Sequence, residues 1–186
     1  MTVKLGTYRA ILVDCPTKFN AGTKGRPQHY PRMTDDQLKR LPIWTLAHPD
    51  GAWLFFWDTT PRIDITPTIA RAWGFKRSSV AWYWSKTTKP QEGKPLAIKY
   101  GTGFTTRKSV EICHLFRIGT PKRISKAVGD MLITPAREHS RKPEEQYGMI
   151  ETYCPGPYIE LFARQRRRGW TTWGNEVDKF PTPTPK

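Results

Sequence analysis

The sequence has few cysteines and no long apolar run. Its three cysteines, Cys15, Cys113 and Cys154, are odd in number and show no Cys-x-x-Cys spacing. This pattern argues against a disulfide framework and a zinc site, so we expect a reducing, cytoplasmic environment and no bound metal. The apolar runs at residues 11–13 and 52–57 have the length of strands. We therefore expect neither a membrane span nor a secretory signal.

Acidic residues are also scarce. The chain carries 16 Asp and Glu against 31 Lys and Arg, a net charge of +15. A protein this basic is expected to bind a polyanion, and nucleic acid is the usual one, although a basic protein without such a partner is the alternative. The eight tryptophans could stack on bases beside these cations, but we expect most of them in the core.

Segments with strand patterns alternate with segments with helix patterns. Strands are predicted at residues 8–13, 52–57, 80–85, 109–117, 131–135 and 158–163. Helices are predicted at residues 34–40, 67–73 and 142–153. This alternation predicts an α/β fold with a mostly parallel central sheet flanked by helices. We expect one domain over residues 1–180 and a disordered, proline-rich tail over residues 181–186.

The first predicted strand ends abruptly in an acid. Residues 10–13 are apolar, and Asp14, Cys15, Pro16 and Thr17 follow them directly. Open α/β folds bind their ligands where the carboxyl ends of parallel strands meet. The pattern therefore predicts a functional site at Asp14.

Several motifs in a fixed order resemble one family. They are Asp-Cys-Pro at residues 14–16, His-Tyr-Pro at 29–31, Arg-Glu-His-Ser-Arg-Lys-Pro-Glu at 137–144, Pro-Tyr-Ile-Glu-Leu-Phe-Ala-Arg at 157–164 and Trp-Gly-Asn-Glu at 173–176. Over residues 8–177 the chain resembles the adenine N6-methyltransferases, which include the eukaryotic mRNA methyltransferase catalytic subunit and bacterial and phage DNA enzymes. The resemblance implies a Rossmann-like domain that uses S-adenosylmethionine. The short bacterial and phage members match this chain best in length, which favours DNA over RNA and a bacterial or phage-infected cytoplasm.

The resemblance assigns catalysis to the loop of Asp14, Cys15, Pro16 and Thr17. In the family, the acid and the carbonyl of the next residue accept hydrogen bonds from the target amine, and an aromatic residue at the fourth position stacks on the base. Here Cys15 replaces a proline and Thr17 replaces the aromatic residue. Loss of the ring costs about 1–3 kcal/mol of base binding. Phe19 and Trp57 are candidate substitutes, with a structural role as the plainer interpretation of each.

The family pattern also assigns contacts with the cofactor S-adenosylmethionine. They fall on Val13, Asp14, Lys142, Glu160, Arg164, Arg166, Asn175 and Glu176. Asn175 and Glu176 match a motif that binds the ribose hydroxyls, and Lys142 matches a lysine that reaches the carboxylate. Glu160 lies in a strand and needs a partner if buried, for which Arg164 is the candidate. The structural alternative for Asn175 and Glu176 is a cap of the terminal turn. The alternative for Lys142 is a solvated cation at the start of a helix.

Two long polar loops, at residues 18–30 and 86–107, are expected to flank this site. The candidate phosphate contacts in them are Lys18, Lys24, Arg26, Lys86, Lys89, Lys94, Lys99 and Arg107. His29 and Tyr30 are candidates for the wall of the base pocket. Solvation or ordinary packing is the alternative for each of these side chains.

Three interpretations of the function follow. The first is an enzyme that methylates adenine N6 in DNA. The second is a nucleic-acid-binding or partner subunit with a degenerate catalytic loop, and the third is a methyltransferase for another base or for RNA. The retained acid and cofactor residues favour the first, whereas Thr17 favours the other two. So small a domain has little room for a target-recognition unit, so homo- or hetero-oligomers stay open.

Overall fold

A seven-stranded sheet with the strand order β5-β3-β4-β2-β1-β6-β7 forms the centre of the molecule. The computed structural model describes residues 2–17, 32–101, 105–138 and 141–183. The strands are β1 (Ala10–Val13), β2 (Gly51–Thr59), β3 (Lys76–Thr87), β4 (Val110–Gly119), β5 (Met131–Pro135), β6 (Tyr158–Leu161) and β7 (Trp170–Trp173). The α-helices are α1 (Asp35–Lys39), α2 (Thr66–Ala72) and α3 (Glu145–Tyr153), and short 3-10 turns lie at Ile43–Leu46 and Thr60–Arg62.

The sheet is mostly parallel, as the sequence predicts. Strand β1 pairs in parallel with β2 and β6, and the pairs β3–β5 and β6–β7 are also parallel. Only β4 runs the other way, antiparallel to both β2 and β3. The carboxyl ends of six strands and the amino end of β4 therefore share one edge. This mixed α/β architecture confirms the predicted Rossmann-like fold class.

Local sequence signals explain where the helices begin and end. Thr34 caps α1, and its hydroxyl and backbone exchange hydrogen bonds with Gln37 in the predicted capping box. After α2, Gly74 takes φ = +81°, which favours glycine and ends the helix. Both signals depend on neighbouring residues alone, which is why the sequence identifies these helices.

Two apolar layers cover the faces of the sheet. On one face, helices α1 and α2 pack over Ile11 and Val13 of β1, and Phe56 stacks on Trp73 with ring centroids 5.2 Å apart. On the other face, α3 packs over Ala10 and Leu12. Six of the eight tryptophans are buried, and Trp44 and Trp173 are the exposed ones, so most indoles serve the core as expected.

The structure departs from the predicted elements in a few places. Strand β7 was not predicted, because its four residues follow a basic run and show no alternation of apolar and polar side chains. Helix α3 begins at Glu145, so Lys142 lies in the segment before the helix and not within it. None of the helices in the described part of the chain is long and apolar enough to cross a membrane.

Candidate functional site

A cavity of about 280 Å³ opens at the edge where six strands end. The predicted catalytic loop forms one wall, with all four of its residues lining the cavity. The other lining residues are Met33, Trp57, Asp58, Thr59, Glu111, Lys142, Phe162, Arg164, Trp173, Gly174, Asn175 and Glu176. The structure thus brings the predicted catalytic loop and most of the predicted cofactor residues together.

Lys142 lies between two carboxylates in this cavity. Its Nζ is 2.9 Å from Oδ2 of Asp14 and 3.1 Å from Oε2 of Glu111. The lysine side chain is only 12% exposed, and Lys86 also forms an ion pair with Glu111. The cluster joins the end of β1, the start of β4, the end of β3 and the segment before α3. Four separate parts of the chain are held together by charge.

The cluster fixes the charges of its members. Burial alone would lower the pKa of Lys142, but Asp14 and Glu111 hold it above its usual value. Burial would raise the pKa of Glu111, yet Lys142 and Lys86 lower it to about 2. For Asp14, burial raises the pKa while Lys142 opposes the rise. Glu111 is thus a permanent anion, whereas Asp14 is more easily protonated.

The loop after Asp14 is tightly turned. The Thr17 N–H donates to the Cys15 carbonyl at 2.8 Å, and the Met33 N–H donates to the Pro16 carbonyl at 2.8 Å. A carbonyl oxygen has a second lone pair, so Cys15 can accept one further hydrogen bond. The Cys15 thiol is buried, and burial raises its pKa, which keeps the thiol neutral.

Asp58 is a further carboxylate at the cavity, and the sequence prediction missed it. It lies near the end of β2 and is only 8% exposed. Burial raises its pKa to about 7, although it accepts a hydrogen bond from the Thr59 N–H at 2.8 Å and one from the Thr66 hydroxyl. Like Asp14, it ends an apolar run, and that signal could have identified it.

The turn after β7 forms the opposite wall. A Cβ on Gly174 would lie 2.6 Å from the Ala163 oxygen and 2.7 Å from the Ala163 nitrogen, so glycine alone allows this close approach. The turn carries Asn175 and Glu176 to the cavity. Arg164 holds Glu176 from one side, with its Nε 3.1 Å from Oε2.

Glu160 faces a smaller adjoining cavity of about 30 Å³, which Asp14, Lys142 and Arg164 also line. The Tyr147 hydroxyl donates to Oε2 of Glu160 at 3.0 Å. Tyr147 is therefore a hydrogen-bond partner of this buried acid, one that the sequence did not predict. Burial raises the pKa of Glu160 to about 8, so the group is mostly protonated at neutral pH.

Among the described residues, three with aromatic rings line the main cavity, although Thr17 supplies none. Trp57 is fixed by its indole N–H, which donates to Gln146 at 2.6 Å, and its ring lies 5.5 Å from Lys142 Nζ. Phe162 and Trp173 meet edge to face, with centroids 5.7 Å apart. Phe162 has φ = +58°, a conformation rare for residues with a side chain. The sequence had indicated Trp57 but neither of the other two rings.

Other predicted residues lie apart from the cavities. Val13 is fully buried in β1, one residue before Asp14. Arg166 is half-exposed and pairs with Asp178 at 2.6 Å; it is not among the residues that line either cavity. Lys89 and Arg107 are exposed. The predicted residues Lys18, Phe19, Lys24, Arg26, His29 and Tyr30 lie outside the described part of the chain.

Comparison with known proteins identifies relatives over nearly the whole chain. The family model MT-A70 matches residues 8–176. The N(6)-adenosine-methyltransferase catalytic subunit METTL3 of Homo sapiens is 31% identical over 179 residues, covering 94% of this chain and 29% of that protein. The N(6)-adenosine-methyltransferase MT-A70-like of Arabidopsis thaliana is 30% identical over 178 residues, covering 94% and 24%. The type II methyltransferase M.MunI of a Mycoplasma species is 29% identical over 161 residues, covering 83% and 64%. The chain thus spans less than a third of each eukaryotic relative.

The raised pKa of Glu160 predicts how stability depends on pH. Between its ordinary pKa of 4.5 and about 8, the unfolded chain loses this proton while the folded protein keeps it. This group therefore makes the protein less stable as pH rises through that range. The Glu160→Gln variant can still accept a hydrogen bond from Tyr147 but has no group that titrates at this position, so this decrease in stability is absent from it.

Denaturant unfolding at several pH values tests this. The free energy of unfolding of Glu160→Gln relative to the unmodified protein should rise with pH, by up to about 1.4 kcal/mol per pH unit. Glu145→Gln, which removes an exposed carboxyl group from the same region, is the matched control. A relative stability of Glu160→Gln that does not change between pH 5 and 8 would contradict the prediction.

Proposed function

The chain belongs to the MT-A70 family, and we propose that it transfers a methyl group from S-adenosylmethionine to the exocyclic N6 amine of adenine in nucleic acid, with DNA favoured over RNA. The observation that carries this proposal is that one cavity holds both Asp14, paired with Lys142, and the Asn175–Glu176 turn. An acid suited to catalysis and groups suited to binding the cofactor thereby face a common space.

The residues present suit S-adenosylmethionine, which supplies an electrophilic methyl group when bound. Lys142 and Arg164 are cations suited to its carboxylate, and Asn175 and Glu176 offer an amide and a carboxylate suited to ribose hydroxyls. Gly174 fixes that turn against the backbone after β6, where any side chain would clash. Because Arg164 holds Glu176, the two halves of this binding surface are already positioned relative to each other.

Asp14 is the group that would act on the amine. The amine nitrogen is a poor nucleophile because its lone pair is delocalised into the ring. Hydrogen bonds from its two N–H groups to Asp14 and to the Cys15 carbonyl would favour the pyramidal form that attacks the methyl group. Transfer would form the bond from nitrogen to the methyl group as the bond from sulfur to that group breaks, with the electron pair staying on the sulfur. The nitrogen would then carry an extra proton, and Asp14, whose pKa is raised by burial, is suited to accept it.

An aromatic residue elsewhere in the cavity can take the place of the ring that the catalytic loop lacks at position 17. Trp57 is held firmly by Gln146 and borders the same space as Asp14 and Thr17. A base that enters the cavity would meet a ring there although position 17 lacks one. We therefore expect the altered loop to be weakened in base binding and still active.

The preference for DNA rests on the likeness to the bacterial relative. Of the relatives described above, the bacterial type II methyltransferase is the one that the chain covers most fully, at 64% of its length. The match covers only 29% and 24% of the two eukaryotic relatives. This higher coverage favours the bacterial relative as the counterpart of the chain.

The second candidate function is a nucleic-acid-binding or partner subunit without catalysis. The changes at Cys15 and Thr17 favour it, and so does the Thr17 N–H, which already occupies one lone pair of the Cys15 carbonyl. The pairing of Asp14 with Lys142 favours the enzyme, because binding alone does not require a buried ion pair at the cavity.

Product analysis separates the two functions. The protein is incubated with labelled S-adenosylmethionine and with single-stranded and duplex forms of DNA and RNA, and the nucleic acid is digested to nucleosides. We expect label in N6-methyladenine nucleosides, most of it from DNA. Asp14→Asn, which keeps the size of the side chain, should lower the rate at least about 100-fold, the usual size of a general acid–base effect.

Nucleic-acid binding by Asp14→Asn is the control for a general loss of the folded protein. Nucleic-acid affinity, measured separately, should be nearly unchanged in Asp14→Asn because the loss concerns one carboxylate in a protein of net charge +15. Label in a base other than adenine would show that the protein methylates that base and not the proposed one. Bound nucleic acid with no label in any nucleoside would establish the non-catalytic function instead.

Substitution at position 17 tests the role of the missing ring. Thr17→Trp adds a stacking face to the catalytic loop, worth about 1–3 kcal/mol, and should lower the KM for nucleic acid roughly tenfold. Thr17→Val, similar in shape to threonine but without a ring, is the matched control and should leave KM unchanged. Equal KM values for Thr17→Trp and Thr17→Val would show that base stacking at this position does not limit the reaction.

A further inference from the structure

The chain beyond β3 forms a hairpin and not an irregular loop. The Thr88 N–H donates to the Ala97 carbonyl at 2.8 Å, and the Lys99 N–H donates to the Lys86 carbonyl at 2.7 Å. Antiparallel bridges pair Thr87 with Ile98 and Gln91 with Lys94, and the turn between them contains Gly93 at φ = +71°. We call residues 86–101 the arm. Its backbone pairing gives its side chains defined faces.

The arm begins beside the candidate active site. Lys86, its first residue, forms an ion pair with Glu111, which lines the main cavity. From that point, residues 88–101 are all exposed to solvent. A molecule that reaches the cavity from this side therefore passes along the arm.

Three large apolar side chains of the arm are exposed. Leu96, Ile98 and Tyr100 are 60%, 40% and 51% exposed. They occupy alternate positions of an extended segment, so they share one face. The register of the bridges places Lys89 opposite Leu96 on that face. Exposing such a row of apolar side chains to water is unfavourable, and exposed apolar patches of this kind mark binding sites.

Cations surround this apolar row. Residues 86–108 contain six Lys or Arg and one acid, Glu92. The Arg107 guanidinium lies over the Tyr100 ring, 5.4 Å from its centroid, and the ring is still half-exposed. A cation beside an accessible aromatic ring is the combination that binds a base and its phosphate.

We propose that the arm binds an unpaired stretch of nucleic acid next to the target adenine, with a base stacked on Tyr100 and phosphates contacting Lys89 and Arg107. That the neighbouring adenine is the target rests on the proposed function. The binding of unpaired nucleic acid by the arm does not. A duplex keeps its base faces inside the stack, so only unpaired bases can cover the apolar row. A second copy of this chain carries the same charge of +15, which disfavours self-association through a cationic surface.

Fluorescence anisotropy with a labelled 20-nucleotide single strand, and with the duplex of the same sequence, tests the stacking. Tyr100→Ala should weaken single-strand binding about tenfold, with an unchanged dependence on salt, and should change duplex binding less than about twofold. Tyr100→Trp should restore the affinity. Tyr83→Ala is the matched control, since Tyr83 is an exposed tyrosine at 36% in the sheet and outside the arm.

The salt dependence tests the phosphate contacts. Lys89→Gln should reduce the slope of log affinity against log salt by about 0.7 for the single strand, the contribution of one phosphate contact. Lys126→Gln removes the same charge from an exposed position before β5 and outside the arm, and should leave the slope unchanged.

Several results would overturn the proposal. Equal losses for single strand and duplex in Tyr100→Ala, or no loss in either, would exclude stacking on an unpaired base. A dimer of the unmodified protein in sedimentation that Tyr100→Ala dissociates would assign the arm to self-association. The nucleoside assay separates this proposal from the proposed function: arm-dependent binding without methylation refutes only the function, and methylation with an unchanged KM in Tyr100→Ala refutes only the arm.

Discussion

The buried contact of Lys142 with Asp14 and Glu111 is the interaction on which the rest of the site depends. The lysine comes from the segment before α3, and the two acids come from the end of β1 and the start of β4. Because β4 alone runs antiparallel, its first residues reach the edge where the other strands end. Removing Lys142 takes from Asp14 the cation that contacts it, and breaking a buried ion pair in this way costs about 3–5 kcal/mol. The topology of the sheet and the charges of the site are therefore linked.

The same lysine connects the two cavities at this edge of the sheet. It lines both the main cavity and the smaller one beside Glu160, so the two cavities share the cluster. Glu160 is mostly neutral at neutral pH because burial raises its pKa, and Glu111 stays an anion because two lysines face it. Charge is thereby concentrated around Asp14, Lys142 and Glu111. The altered Cys15 and Thr17 change the loop beside this cluster and leave the cluster itself intact.

Sequence alone predicts the parts of this molecule that depend on neighbouring residues. The end of β1 at Asp14 follows from an apolar run stopped by an acid, and the capping box at Thr34 follows from residues three apart. Glu111 was missed because its place at the site depends on the antiparallel pairing of β4, which no local pattern reveals. The contact between Tyr147 and Glu160 likewise joins a helix to a strand. Strand β7 pairs in parallel with β6, a partner that its own four residues do not reveal.

A double-mutant cycle on Asp14 and Lys142 tests the central claim most directly. The free energy of unfolding is measured for the unmodified protein, for Asp14→Asn, for Lys142→Met and for the double variant. We predict that the two losses are strongly coupled, with the double variant more stable than the sum of the single changes by about 2 kcal/mol or more. Losses that add to within about 0.5 kcal/mol would show that the two side chains act independently, and would contradict the account.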